Sequence, residues 1–94
     1  MTYQEAKKIA LRVNGKVDAC DEYEKGFHFF KTRNESWAGD SGFVVIKESG
    51  EVINWIGFIL DYHPERIAKV LDFATGKETG VLNYENEENG DEEE

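Results

Sequence analysis

Apolar side chains recur at helical spacing from the start of the chain. Ala6, Ile9, Ala10 and Val13 form one stripe, and Thr2 with Glu5 three residues later has the spacing of a capping box. The pattern predicts a helix over residues 3–13. Asn14-Gly15 then ends it, with the glycine supplying the left-handed conformation such an end requires. From residue 16 the period changes to two. Val17, Ala19 and Tyr23 fall to one side and Asp18, Cys20 and Glu22 to the other, which predicts a half-buried strand over residues 16–23. Glu24-Lys25-Gly26 makes a turn, and the aromatic run Phe27-His28-Phe29-Phe30 makes a second strand, so the two read as a hairpin. Residues 33–42 are polar with two glycines and read as a loop; it carries Trp37 and Asp40.

Phe43-Val44-Val45-Ile46 is the strongest strand signal, and residues 52–56 return after a tight turn. With Gly50 left-handed in a three-residue loop, Lys47 lies opposite Glu51, Val45 faces Ile53 and Phe43 faces Trp55. A two-residue Ser49-Gly50 turn shifts this pairing. Residues 57–62 are apolar without a decisive period. Beyond them, Pro64 suits a first helical turn, and Ile67, Val70, Leu71 and Ala74 share a helical face, predicting a short helix over residues 64–73. Residues 75–84 hold two glycines and read as loosely held chain. The expected fold class is α+β: an N-terminal helix, a four-stranded mainly antiparallel sheet and a short C-terminal helix, in one domain over residues 1–84. Phe29 and Phe30 point oppositely, so both sheet faces are partly apolar. Either a helix covers each face, or a partner chain covers one.

Charge changes the picture mainly at the C-terminus. The chain carries 20 acidic and 11 basic side chains, a net charge of −9. Seven of the acids lie in residues 85–94 with no base among them, so the remainder holds 13 acids against 11 bases and a charge of −2. Residues 85–94 therefore read as a disordered acidic tail. Nucleic acid is an unfavourable partner for a chain whose basic residues never exceed two in a row. No signal peptide and no transmembrane-length segment is read in the sequence, and the single Cys20 allows no internal disulfide. The expected location is cytoplasmic, with no membrane partner. The acceptor triplet Asn34-Glu35-Ser36 is then a chance match.

Catalytic chemistry finds little footing, and the protein is not expected to be an enzyme. His28 lies within an aromatic strand, and His63 stands at a helix N-cap position ahead of Pro64. Cys20 reads as a small buried side chain. The histidines, the cysteine and the scattered acids lack the ligand spacing of a zinc site, and Gly39 and Gly42 lack the lysine of a phosphate loop. No cofactor or metal is expected. Binding remains. Asp18, Asp21, Glu22 and Glu24 bunch around the first strand, either as a solvated face or as an acidic patch that steers a basic protein partner. Trp37 is either an anchor for that partner or a lid on the core, and Asp40 lies in the same loop. Trp55 reads as core.

The segments Gly26-Phe27-His28-Phe29-Phe30 and Gly42-Phe43-Val44-Val45-Ile46-Lys47-Glu48-Ser49-Gly50-Glu51-Val52, with the amphipathic first helix, resemble the immunity protein 35-like domains of bacterial polymorphic toxin systems. The resemblance covers residues 2–56. It implies a small α+β protein and a non-enzymatic inhibitor that binds a toxin. This chain has Ser41-Gly42 where family members often carry a proline, and the segment from Pro64 and the acidic tail lie outside the match. No functional residue of the family is carried over. Two expectations follow: a non-catalytic binding protein that occludes a partner's active site, or a homodimeric assembly module in which a second copy covers one sheet face.

Overall fold

The computed structural model describes residues 1–32, 42–65 and 67–83. Trp37, Asp40, the triplet at Asn34 and the tail over residues 85–94 lie outside the described residues. Helix α1 spans Tyr3–Val13 and opens with the predicted capping box. The Glu5 amide donates to Thr2 Oγ1 at 3.2 Å, and the Thr2 amide donates to Glu5 Oε1 at 2.9 Å. Its end differs from expectation. Asn14 caps it in extended backbone, its amide donating to the Ala10 carbonyl, and Asn14 Oδ1 accepts from the Lys16 amide at 2.9 Å. That asparagine-held turn does the work expected of Gly15, which is not left-handed.

Among the described residues, six antiparallel strands follow where four were expected: β1 (Ala19–Glu22), β2 (Gly26–Phe30), β3 (Phe43–Ile46), β4 (Val52–Asn54), β5 (Ile67–Leu71) and β6 (Glu78–Asn83). They form one sheet in the order β4-β3-β2-β1-β5-β6. The predicted helix over residues 64–73 is instead strand β5, paired with β1 so that Cys20 meets Leu71 and Asp21 meets Val70. Residues expected to be loosely held form β6, on the edge of the sheet. The two strands join through Asp72, whose carboxylate accepts from the Thr75 amide at 3.0 Å and the Thr75 hydroxyl at 2.8 Å. Those hydrogen bonds hold the Asp72 carboxyl below its ordinary range. Gly76 completes the turn at φ 82°.

Helix α2 (Trp55–Tyr62) is the second correction. Residues 55 and 56, predicted to continue β4, instead begin a helix. Asn54 caps it by accepting from the Gly57 amide at 2.6 Å. His63 is therefore the C-cap of α2, left-handed at φ 49°, and not the N-cap of a following helix.

The β3–β4 hairpin closes through the four residues 47–50. The Ile46 amide donates to the Glu51 carbonyl, and the Gly50 amide donates to the Ile46 carbonyl at 2.7 Å. Val45 pairs with Val52, and Val44 with Ile53, one residue away from the three-residue-loop register. That slip exchanges the faces of Val52 and Ile53. Gly50 is left-handed as predicted, at φ 78°. A Cβ there would meet only ordinary contacts with Met1 and Ile9, so the backbone conformation alone sets the cost of substitution. Gly50→Val is expected to lower stability by about 1–2 kcal/mol in urea unfolding, and Gly50→Asn by less, because asparagine tolerates this region.

Each sheet face carries its own helix. On one, Ala6 and Ala10 of α1 pack over Cys20, Phe27, Phe29, Val45 and Leu71. On the other, Phe58 of α2 packs over Tyr23, Val44, Ile46 and Ala68, with Ile53, Trp55 and Leu82 at the margin.

Candidate functional site

The alternation of β1 separates the acids that the sequence groups together. Cys20 joins the core beneath α1, and Val17, which precedes the strand and is free of its alternation, joins the same core. Glu22 shares the face of Cys20, whereas Asp21 and Tyr23 point beneath α2. Asp18 is exposed but engaged: its carboxylate accepts from the Thr32 amide at 2.9 Å and the Thr32 hydroxyl at 3.2 Å, tying the start of β1 to the end of β2. Glu22 pairs with Lys47 at 2.7 Å. Glu24 stands exposed in the β1–β2 turn. Asp21 is only 5% exposed, opposite His28 on β2 and Val70 on β5. Desolvation pushes its carboxyl up from 3.8 to about 6. The four acids are therefore not one patch, because strand geometry buries one, pairs another and places the two strand acids on opposite faces. Of the remaining sequence candidates, Trp37 and Asp40 lie outside the described residues.

Glu22 and Lys47 border a cleft of about 290 Å³ with Glu24, Ile67 and Lys69. Glu22 lies directly across the β1–β5 ladder from Lys69, and Lys47 Nζ also sits 5.0 Å from the centre of the Phe27 ring. Two acids and two bases make this cleft close to neutral. The one thiol, Cys20, is buried beneath α1, and burial raises its pKa far above the range of a reactive cysteine. Among the described residues, no group of three or more His, Cys, Asp or Glu side chains is placed to hold a metal ion. His28 belongs to an aromatic array. It stacks on Trp55 with ring centres 4.1 Å apart and planes 12° apart, and Phe30 lies beside it at 4.9 Å.

The surface that stands out is the outer side of α2. Phe58 is the buried residue of this helix. Steps of 100° per residue place Ile56, Ile59 and Leu60 on the arc facing away from it. Ile56 is 58% exposed and Leu60 65% exposed, with Ile59 and Tyr62 at 37% each. The helix carries one charged side chain, Asp61, on its flank. The sequence hid this element because a helix apolar on both sides has no amphipathic period. Its terminal signals were present: Asn54 ahead of it as a cap, and Pro64 just after it. No helix among the described residues is long and apolar enough to cross a membrane. No protein family, curated protein or solved structure matches this chain.

Proposed function

We propose that the protein is a non-catalytic protein-binding domain that docks through the outer face of α2. The observation that carries this reading is the exposure of Ile56 and Leu60 on a helix that is apolar both toward and away from the sheet. Such a helix is ordinarily buried on every side, and contiguous exposed apolar surface marks a contact site. The resemblance of residues 2–56 to immunity protein 35-like domains supports one class of partner, a bacterial toxin held inactive by occlusion. Asp18 and Glu24, exposed on the first hairpin, would then steer association, and α2 would set the lifetime of the complex.

The test uses a protein that co-purifies with the chain from its host, with association and dissociation followed separately. Leu60→Glu is expected to speed dissociation about tenfold or more, as loss of a central apolar anchor does, with an unchanged circular dichroism spectrum. Neutralising Asp18 and Glu24 together is expected to slow association, with a smaller effect at high salt. An unchanged dissociation rate for Leu60→Glu would remove α2 from the binding surface.

A further inference from the structure

We propose that the occupant of the α2 face is a second copy of this chain, docked about a two-fold axis so that the two α2 helices pack against each other. This rests on the reading of α2 as a docking face and names a copy of the chain, in place of a toxin, as its occupant.

Charge argues for the copy. In a two-fold contact each residue near the axis meets its own equivalent, so a central charge would face a like charge. The outer arc of α2 has none: Ile56, Ile59 and Leu60 occupy it, and Asp61 is set to the flank. An α2 helix without a single lysine or arginine offers nothing to an anionic lipid surface, which attracts interfacial helices through their basic residues.

Area agrees. Ile56, Ile59 and Leu60 leave on the order of 300 Å² in solvent, within the range of the largest patch on a typical monomer. That is about 40% of the ~800 Å² each partner contributes to a standard interface, an apolar centre that a polar rim completes. Exposed Asn54, Asp61 and His63 border the patch and supply such a rim. Of the other exposed apolar residues, Leu11 and Val13 stand about 200° apart on α1 with Met1 ahead of it, and Ile67 and Val81, on β5 and β6, lie on the α1 face of the sheet beside Lys69.

Two chains of net charge −9 repel one another, so a dimer held by an apolar contact should tighten as salt screens that repulsion. A complex with a basic partner would weaken instead. The experiment is sedimentation equilibrium of the full chain from about 1 µM to about 1 mM, at about 20 and 300 mM salt. The expected result is a monomer–dimer equilibrium in the micromolar range that tightens with salt. Leu60→Glu and Ile56→Lys should each weaken it about tenfold or more while keeping the native circular dichroism spectrum, and Val81→Glu should leave it unchanged. The two α2 variants guard against one of them failing to fold.

A wild-type chain that stays monomeric throughout, or a dimer broken by Val81→Glu and not by the α2 variants, overturns the proposal. A soluble paramagnetic probe applied to the monomer separates the two levels of failure. Ile56 and Leu60 methyls relaxed by the probe in a persistent monomer leave the docking face standing and exclude the copy. Methyls shielded in that monomer mean that the chain covers the face itself, and both readings fall.

Discussion

Phe58→Ala is expected to lower stability by about 3–5 kcal/mol, the cost of removing a fully buried aromatic ring and leaving its cavity. The ring lies edge-on to Tyr23 with centres 5.8 Å apart, and stacks with Trp55 at 5.9 Å and Tyr62 at 5.3 Å. Beneath it are Val44, Ile46 and Ala68, from β3 and β5. Its loss would therefore be felt across the centre of the sheet and within α2. An eight-residue helix is too short to persist by its own hydrogen bonds and is held by what it buries. Among the residues of α2, only Phe58 is buried. A small domain holds about 5–15 kcal/mol in total, so a substitution of this size removes a large share of it. Urea unfolding checks the magnitude, and amide exchange along residues 55–62 checks the mechanism, since α2 should lose protection ahead of the strands. Leu60→Ala, half a turn away on the outer arc, should cost less than about 0.5 kcal/mol in the monomer. A loss below about 1 kcal/mol for Phe58→Ala would show that α2 is anchored elsewhere.

The same helix shows where sequence reasoning reached and where it stopped. Local signals sufficed where a stripe and a cap agree or where composition leaves one choice. Helix α1 has the predicted bounds because its apolar stripe and its cap agree, and β3 has them because four consecutive β-branched or aromatic residues admit little else. Where both sides of an element are apolar, the period that identifies it disappears. In β5, Ile67, Val70 and Leu71 fit a helical face, but Ala68 is buried toward α2 while Leu71 is buried toward α1, an arrangement only a strand between the two layers can make. The decisive fact is the pairing of β5 with β1, a contact between residues about fifty positions apart that no local window contains.

The acids around β1 divide between two faces for a related reason. Proximity in sequence was read as proximity on a surface, whereas alternate strand residues point to opposite faces, and Asp21 belongs to the buried one. The outward face of α2, the stronger candidate surface, became visible only once Phe58 fixed which way the helix turns.

Asp21→Asn is expected to stabilise the protein at neutral pH. The carboxyl lies in the sheet beside His28 and Val70, 5% exposed, and desolvation raises its pKa to about 6, with no opposing charge or hydrogen bond among the described residues to offset that burial. The unfolded chain titrates this group near 3.8, so the native state binds the extra proton between the two values. A group whose pKa is raised by folding contributes fully below its unfolded pKa and loses that contribution as pH rises through the folded value. The contribution of Asp21 is therefore complete below about pH 4 and gone above about pH 7. A rise from 3.8 to about 6 corresponds to about 3 kcal/mol, and water at the residual opening reduces it, leaving roughly 1–3 kcal/mol. At about pH 7.5 the buried carboxylate opposes folding by that amount. The amide keeps the shape without the charge, so its urea midpoint at about pH 7.5 should exceed that of the wild type, and the two should converge toward pH 4. The difference between the two profiles cancels the titrating groups that residue 21 does not touch. A difference that stays flat from about pH 4 to 7.5 would mean that Asp21 is ionised at ordinary carboxylate pH in the folded protein, reached by water. An amide less stable than the wild type at about pH 7.5 would mean that the carboxylate is held by a favourable contact, and that β1 keeps an ionised acid beneath α2 because something binds it there.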